Sequence, residues 1–190
     1  MKKLMFVLTV ALLALCSTAV FAQSTSFGEI TFNIDVATVP IATGAGDLTV
    51  TGLSPGMKWA VIPDGAGGTQ DLNMSNPPAV PPAAALTAAT IDGDPGANIL
   101  VSFALPTYLV SPSGGQGNIK LEYNGTSGTW GIDGTTYQYF DPNKDQVMTL
   151  DAAAGHVDIY IGAIITVPST VSVTETYLGS GLFTVQYVGM

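Results

Sequence analysis

Apolar and polar residues alternate with a period of two through most of this chain. The alternating runs are separated by turn-forming glycine, proline, asparagine and aspartate. The cleanest run, EITFNIDVATV, puts Ile30, Phe32, Ile34 and Val36 on one side and Thr31, Asn33 and Asp35 on the other. The same pattern predicts strands at 47–52 (DLTVTG), 58–62 (KWAVI), 86–91 (LTAATI) and 97–105 (ANILVSFAL). Beyond a glycine-rich turn it predicts strands at 118–124 (NIKLEYN), 146–151 (QVMTLD), 156–167 (HVDIYIGAIITV) and 171–177 (VSVTETY). A closing strand, GLFTVQYV, sets Phe183, Val185 and Tyr187 on one face and Thr184 and Gln186 on the other. No stretch carries a 3.6-residue period, so the chain reads as all-β, an antiparallel β-sandwich.

Two stretches interrupt this rhythm. SNPPAVPPAAA (75–85) is rich in proline and alanine and is expected to run as an extended surface loop. The segment 124–145 mixes turn residues with Trp130, Tyr137, Tyr139 and Phe140, and is expected to form a short hairpin or long loop over one end of the fold. Neither an internal repeat nor a second domain is evident.

The first residues have a different pattern. MKK is followed by the apolar run LMFVLTVALLALC, then by small residues at Val20 and Ala22. This is the pattern of a cleaved export signal covering 1–22, leaving a single domain from Gln23 to Met190. The apolar run is short for a membrane span, and Leu15 before Cys16 is bulky for a lipid-attachment site. Cys16 is the only cysteine, so the processed chain has no disulfide, thiol nucleophile or thiolate metal site. The expected location is periplasmic, cell-surface or extracellular, with no membrane span in the mature chain.

Charge narrows the partners. Without Lys2 and Lys3, only Lys58, Lys120 and Lys144 oppose fourteen carboxylates, and arginine is absent. Such a surface repels phosphate backbones, which argues against nucleic acid, and it lacks the guanidinium fork that grips anions.

Candidate chemistry is sparse. His156 is the sole histidine, so any Ser-His-Asp arrangement must use it; a solvated histidine at a strand start is the plainer expectation. In FDPNKDQ, Asp141, Asn143 and Asp145 alternate like the opening of a calcium loop. Gln146 then stands where the bend wants glycine, and Ala152 where a bidentate glutamate belongs. An Asp-Pro-Asn turn is therefore expected, with weak calcium binding as the alternative. No other cofactor is implied. Trp130, Tyr137 and Tyr139 lie close in sequence and form a candidate sugar-stacking group.

The ordered segments TFNIDVATVPIATGAGDLTVTGL, ANILVSFALPTYLVSPSG and FDPNKDQVMTLDAAAGHVDIYIGAIITVPSTVSVTETYLGSGLFTVQYV resemble a family of secreted bacterial domains of unknown function. That family is related in style to fimbrial and spore-coat-U-like pilins. IGAIITVPST and TETYLGSGLFTVQY take the places of its terminal strand and hairpin, with Ala163 where the family has a second glycine. The 75–85 stretch replaces a shorter connection. The resemblance implies an immunoglobulin-like sandwich, no enzymatic activity, and assembly by strand donation.

On this reading Ile30, Phe32, Ile34 and Val36 form the donor strand. Phe183, Val185 and Tyr187 line the groove edge of another copy or a related subunit. Alternation alone leaves open whether 29–38 pairs within its own chain. The competing expectation is a freestanding extracellular binding module that offers Trp130, Tyr137 and Tyr139 to a glycan or surface polymer.

Overall fold

The computed structural model describes residues 40–64, 69–75, 82–114, 117–171 and 175–189. All fall in one compact unit, Thr38–Met190. The export-signal segment 1–22 and the strand expected at 29–38, with Ile30, Phe32, Ile34 and Val36, lie outside the described residues. Among the described residues there is no helix, and fifteen strands pair antiparallel. No helix among them is long and apolar enough to cross a membrane.

Strands are numbered in chain order. The first sheet runs β1 (Ala42–Gly44), β6 (Ala89–Asp92), β13 (His156–Ile161), β10 (Gly128–Gly131) and β11 (Tyr137–Phe140). Its inner face packs against a three-stranded sheet of β12 (Gln146–Thr149), β7 (Asn98–Ala104) and β15 (Leu182–Tyr187). Alternation decides which side chains meet between them. Val157 and Ile159 of β13 point inward with Ile91, Ile99, Val101 and Met148, and each is at most 1% exposed.

A second core lies under the third sheet, ordered β4 (Thr69–Ser75), β3 (Lys58–Pro63), β14 (Ala163–Thr166), β9 (Ile119–Glu122) and β8 (Tyr108–Leu109). Trp59, Val61, Leu121 and Ile165 are buried there. A two-stranded ribbon of β2 (Asp47–Thr51) and β5 (Ala83–Thr87) covers them with Leu48, Val50 and Leu86.

The two cores share backbone. β13 runs through Gly162 into β14, and β5 runs through Ala88 into β6, so two chain segments leave the first sheet and diverge around the second core. Gly162 marks one crossing: a Cβ there would stand 2.1 Å from the Val61 carbonyl oxygen, so no side chain fits.

Several sequence expectations change here. The run 156–167 is two strands in different sheets, not one, because the close approach at Gly162 turns the chain. The expected loop at 75–85 is a strand over part of its length. Ala83–Thr87 lies past the last proline, keeps its N–H groups, and pairs with Asp47–Thr51; residues 76–81 lie outside the described residues. The expected strand at 171–177 is not one in its described residues. Pairing comes one residue later, where Val110 and Leu178 exchange N–H···O bonds of 3.0 and 2.9 Å. β1, β4 and β8 are strands beyond those the alternation predicts.

Candidate functional site

Three aspartates near the first sheet are committed to turns. Between β10 and β11, Asp133 Oδ1 accepts the N–H groups of Thr135 and Thr136 at 2.9 and 2.6 Å. Those two bonds, Thr136 first, hold its carboxyl down at about 2. After β12, Asp151 accepts from Ala153 and Ala154 in the same way, and its pKa is lowered by Ala154 first. After β11, Asp141 Oδ1 accepts from the Asn143 backbone at 3.1 Å and from its Nδ2 at 2.9 Å. Lys144 Nζ stands 3.3 Å from the other oxygen of Asp141. Asn143 Nδ2 also donates to the Tyr123 carbonyl at 2.8 Å. The stretch with calcium-loop spacing is thus an aspartate-capped turn whose carboxylate faces a lysine. Asp145 has no side-chain contact that joins this group. Among the described residues no cluster of three or more His, Cys, Asp or Glu converges as metal ligands would.

The β10–β11 hairpin arranges the aromatics by register. Gly128 faces Phe140 and Gly131 faces Tyr137 across the ladder. A Cβ on Gly128 would come within 2.5 Å of the Phe140 ring, and one on Gly131 within 2.7 Å of the Tyr137 ring. Each ring therefore lies across the bare backbone opposite it. Phe140 does so inside the core and Tyr137 on the outer face. Trp130 alternates inward and packs on the first core, so it is separated by the sheet from Tyr137 and Tyr139. Trp130 instead lines a cleft of about 370 Å³ with Ile132, Asp133, Gln138 and Thr149.

Sequence spacing did not reveal what joins Tyr137 and Tyr139 on that outer face. Tyr160 of β13 meets Tyr137 edge-on, with ring centroids 5.5 Å apart at 77°. Burial, then the neighbouring Tyr160 hydroxyl and the Asp158 and Asp133 carboxylates, push the Tyr137 phenol up. Beside them runs a polar row. His156 Nδ1 lies 2.6 Å from Asp92 Oδ1, and its Nε2 lies 3.1 Å from Asp158 Oδ1. Only an imidazolium donates both bonds, and the pKa of His156 is raised, chiefly by Asp92 and against the effect of burial. Asp92 is the ladder partner of His156, and Asp158 lies two residues on along β13, so the period of two would have found Asp158. Thr129, between Tyr139 and Tyr160 in the ladder, is fully buried, and its hydroxyl has no partner.

The residues expected to line a groove edge lie on β15, away from this outer face. Phe183, Val185 and Tyr187 all point from β15 onto the first core and are half-buried. Phe183 stands 6.2 Å from Phe103, which stacks on Phe140 at 5.4 Å. The Tyr187 hydroxyl accepts the Asp94 N–H at 2.8 Å, tying β15 to the turn between β6 and β7. β15 pairs with β7 along six residues, and its other edge has no strand partner among the described residues. The free edge of β1 is nearby. Between the two, Thr43, Gly44, Ala45, Gly181, Leu182 and Phe183 line an open cleft of about 300 Å³.

The chain matches no protein-family model, no curated protein and no solved structure.

Proposed function

We propose that the protein is an exported, non-enzymatic structural subunit, a pilin-like immunoglobulin-type sandwich that assembles by β-strand addition. The observation that carries this reading is the β1–β15 cleft. Two unpaired strand edges, among the described residues, border a cleft lined by Phe183, the first of the half-buried apolar row Phe183, Val185 and Tyr187 on β15. Unpaired edges favour strand capture, since backbone groups and alternate side-chain positions are both on offer. Leu182, 74% exposed, adds apolar surface at the cleft mouth.

The occupant is the alternating segment with Ile30, Phe32, Ile34 and Val36, supplied by another copy or a related subunit. Its four apolar side chains at every second position match the spacing of Phe183, Val185 and Tyr187. His156 supports a structural role, because both ring nitrogens face aspartates and neither is directed at a serine.

Size-exclusion chromatography with light scattering, on the secreted chain and on a form lacking residues 23–40, tests the reading. The full chain should form oligomers. The truncated chain should capture a synthetic peptide of residues 28–38, and Phe183→Asp should abolish capture. A full chain that stays monomeric at every concentration, or a peptide that binds the Phe183→Asp form equally well, overturns it.

A further inference from the structure

The outer face of the first sheet is unlike an ordinary solvated sheet face. It carries Tyr137, Tyr139 and Tyr160 beside the Asp92–His156–Asp158 row, and none of the three lysines of the processed chain lies on its strands. We infer that this face binds a neutral oligosaccharide, with the tyrosine rings stacking on sugar rings and Asp92 and Asp158 accepting hydrogen bonds from hydroxyls.

Three observations select that ligand class. The first is a braced aromatic surface. Tyr137 is held between the Gly131 backbone and the Tyr160 ring, so its orientation is fixed before a ligand arrives, while Tyr139 next to it is 47% exposed. Rings of this kind give large contact area at small entropic cost and match the C–H faces of pyranoses.

The second is charge. With His156 bridging two carboxylates, the row bears roughly one net negative charge and offers no unengaged cation. Phosphorylated, sulfated or uronic sugars therefore meet repulsion. A cationic ligand would compete with an imidazolium already in place. Hydroxyl donors need only the acceptor sites on Asp92 and Asp158 that His156 leaves open.

The third is extent. Tyr137 on β11 and Asp92 on β6 are three strand spacings apart, roughly 14 Å. That length suits several linked sugars better than a single ring.

The test applies the full secreted chain to an array of neutral and acidic oligosaccharides, then titrates the best neutral ligand by calorimetry. Tyr137→Ala should weaken binding at least tenfold, and Tyr139→Ala and Asp158→Asn several-fold. Tyr108→Ala, exposed on β8, should leave it unchanged. Tyr139→Ala and Asp158→Asn decide the matter if Tyr137→Ala fails to fold. The monomeric Phe183→Asp form should bind as wild type does, which separates this site from strand pairing. The inference is overturned if no neutral oligosaccharide binds, if acidic sugars bind more tightly, or if Tyr139→Ala and Asp158→Asn retain full affinity.

Discussion

The two faces of the first sheet are built from the same strands and even the same device, an aromatic ring laid across a glycine, yet they serve opposite ends. Inside, Phe140 covers Gly128 and joins Val157, Ile159 and Ile91 in a closed core. Outside, Tyr137 covers Gly131 and stays accessible beside carboxylates and a histidine. The difference arises from parity: one step along β13 moves a side chain from the buried core, as at Val157 and Ile159, to a partly exposed position, as at Asp158 and Tyr160. Composition of a segment therefore says little about role until register is known.

Substitutions should separate the faces in order of effect. Phe140→Ala opens a cavity in the first core and should lower unfolding free energy by about 3–5 kcal/mol, measured by urea titration. Tyr137→Ala removes a partly exposed ring but uncovers Gly131, and should cost about 1–2 kcal/mol in the same titration. Equal costs for the two would show that the outer ring is as much core as the inner one.

The smallest effect is in the polar row. The pKa of His156 is raised above its unfolded value near 6.5, so its stabilisation is fully present below that pH. It is lost as pH rises through the folded value. As pH rises from below 6.5 through the folded value, wild type should lose stability relative to His156→Ala, by less than about 1 kcal/mol because the row is partly solvated. A difference between the two that is independent of pH would mean that the imidazole contributes by packing alone.

Much of the all-β character was legible in the sequence. Strands at 98–104, 119–122 and 182–187 follow the alternation closely, because each has one face on a core and one toward water. Other features depend on distant partners. Ala83–Thr87 has no strong strand character of its own and is a strand because Asp47–Thr51 pairs with it. Gly162 is ordinary in sequence, and only the Val61 carbonyl beside it explains the break in 156–167.

The outer-face site was half-legible. Tyr137 and Tyr139 are legible as a pair, whereas the opposite parity of Trp130 depends on the register set by a turn capped by Asp133. Tyr160 and Asp158 keep step with His156 along β13, but only the ladder through β10 brings them beside Tyr137. Asp92 likewise reaches His156 through a ladder between residues 64 positions apart.

The passage of one backbone from β13 through Gly162 into β14 has a mechanical consequence. Val157 and Ile159 anchor it in one interior, Ala163 and Ile165 in the other, with no slack linker between. Melting either interior strips register from the segment that clamps its neighbour. The amides of Ile159 and Ile165 should then exchange with deuterium at matching rates, through one all-or-none opening.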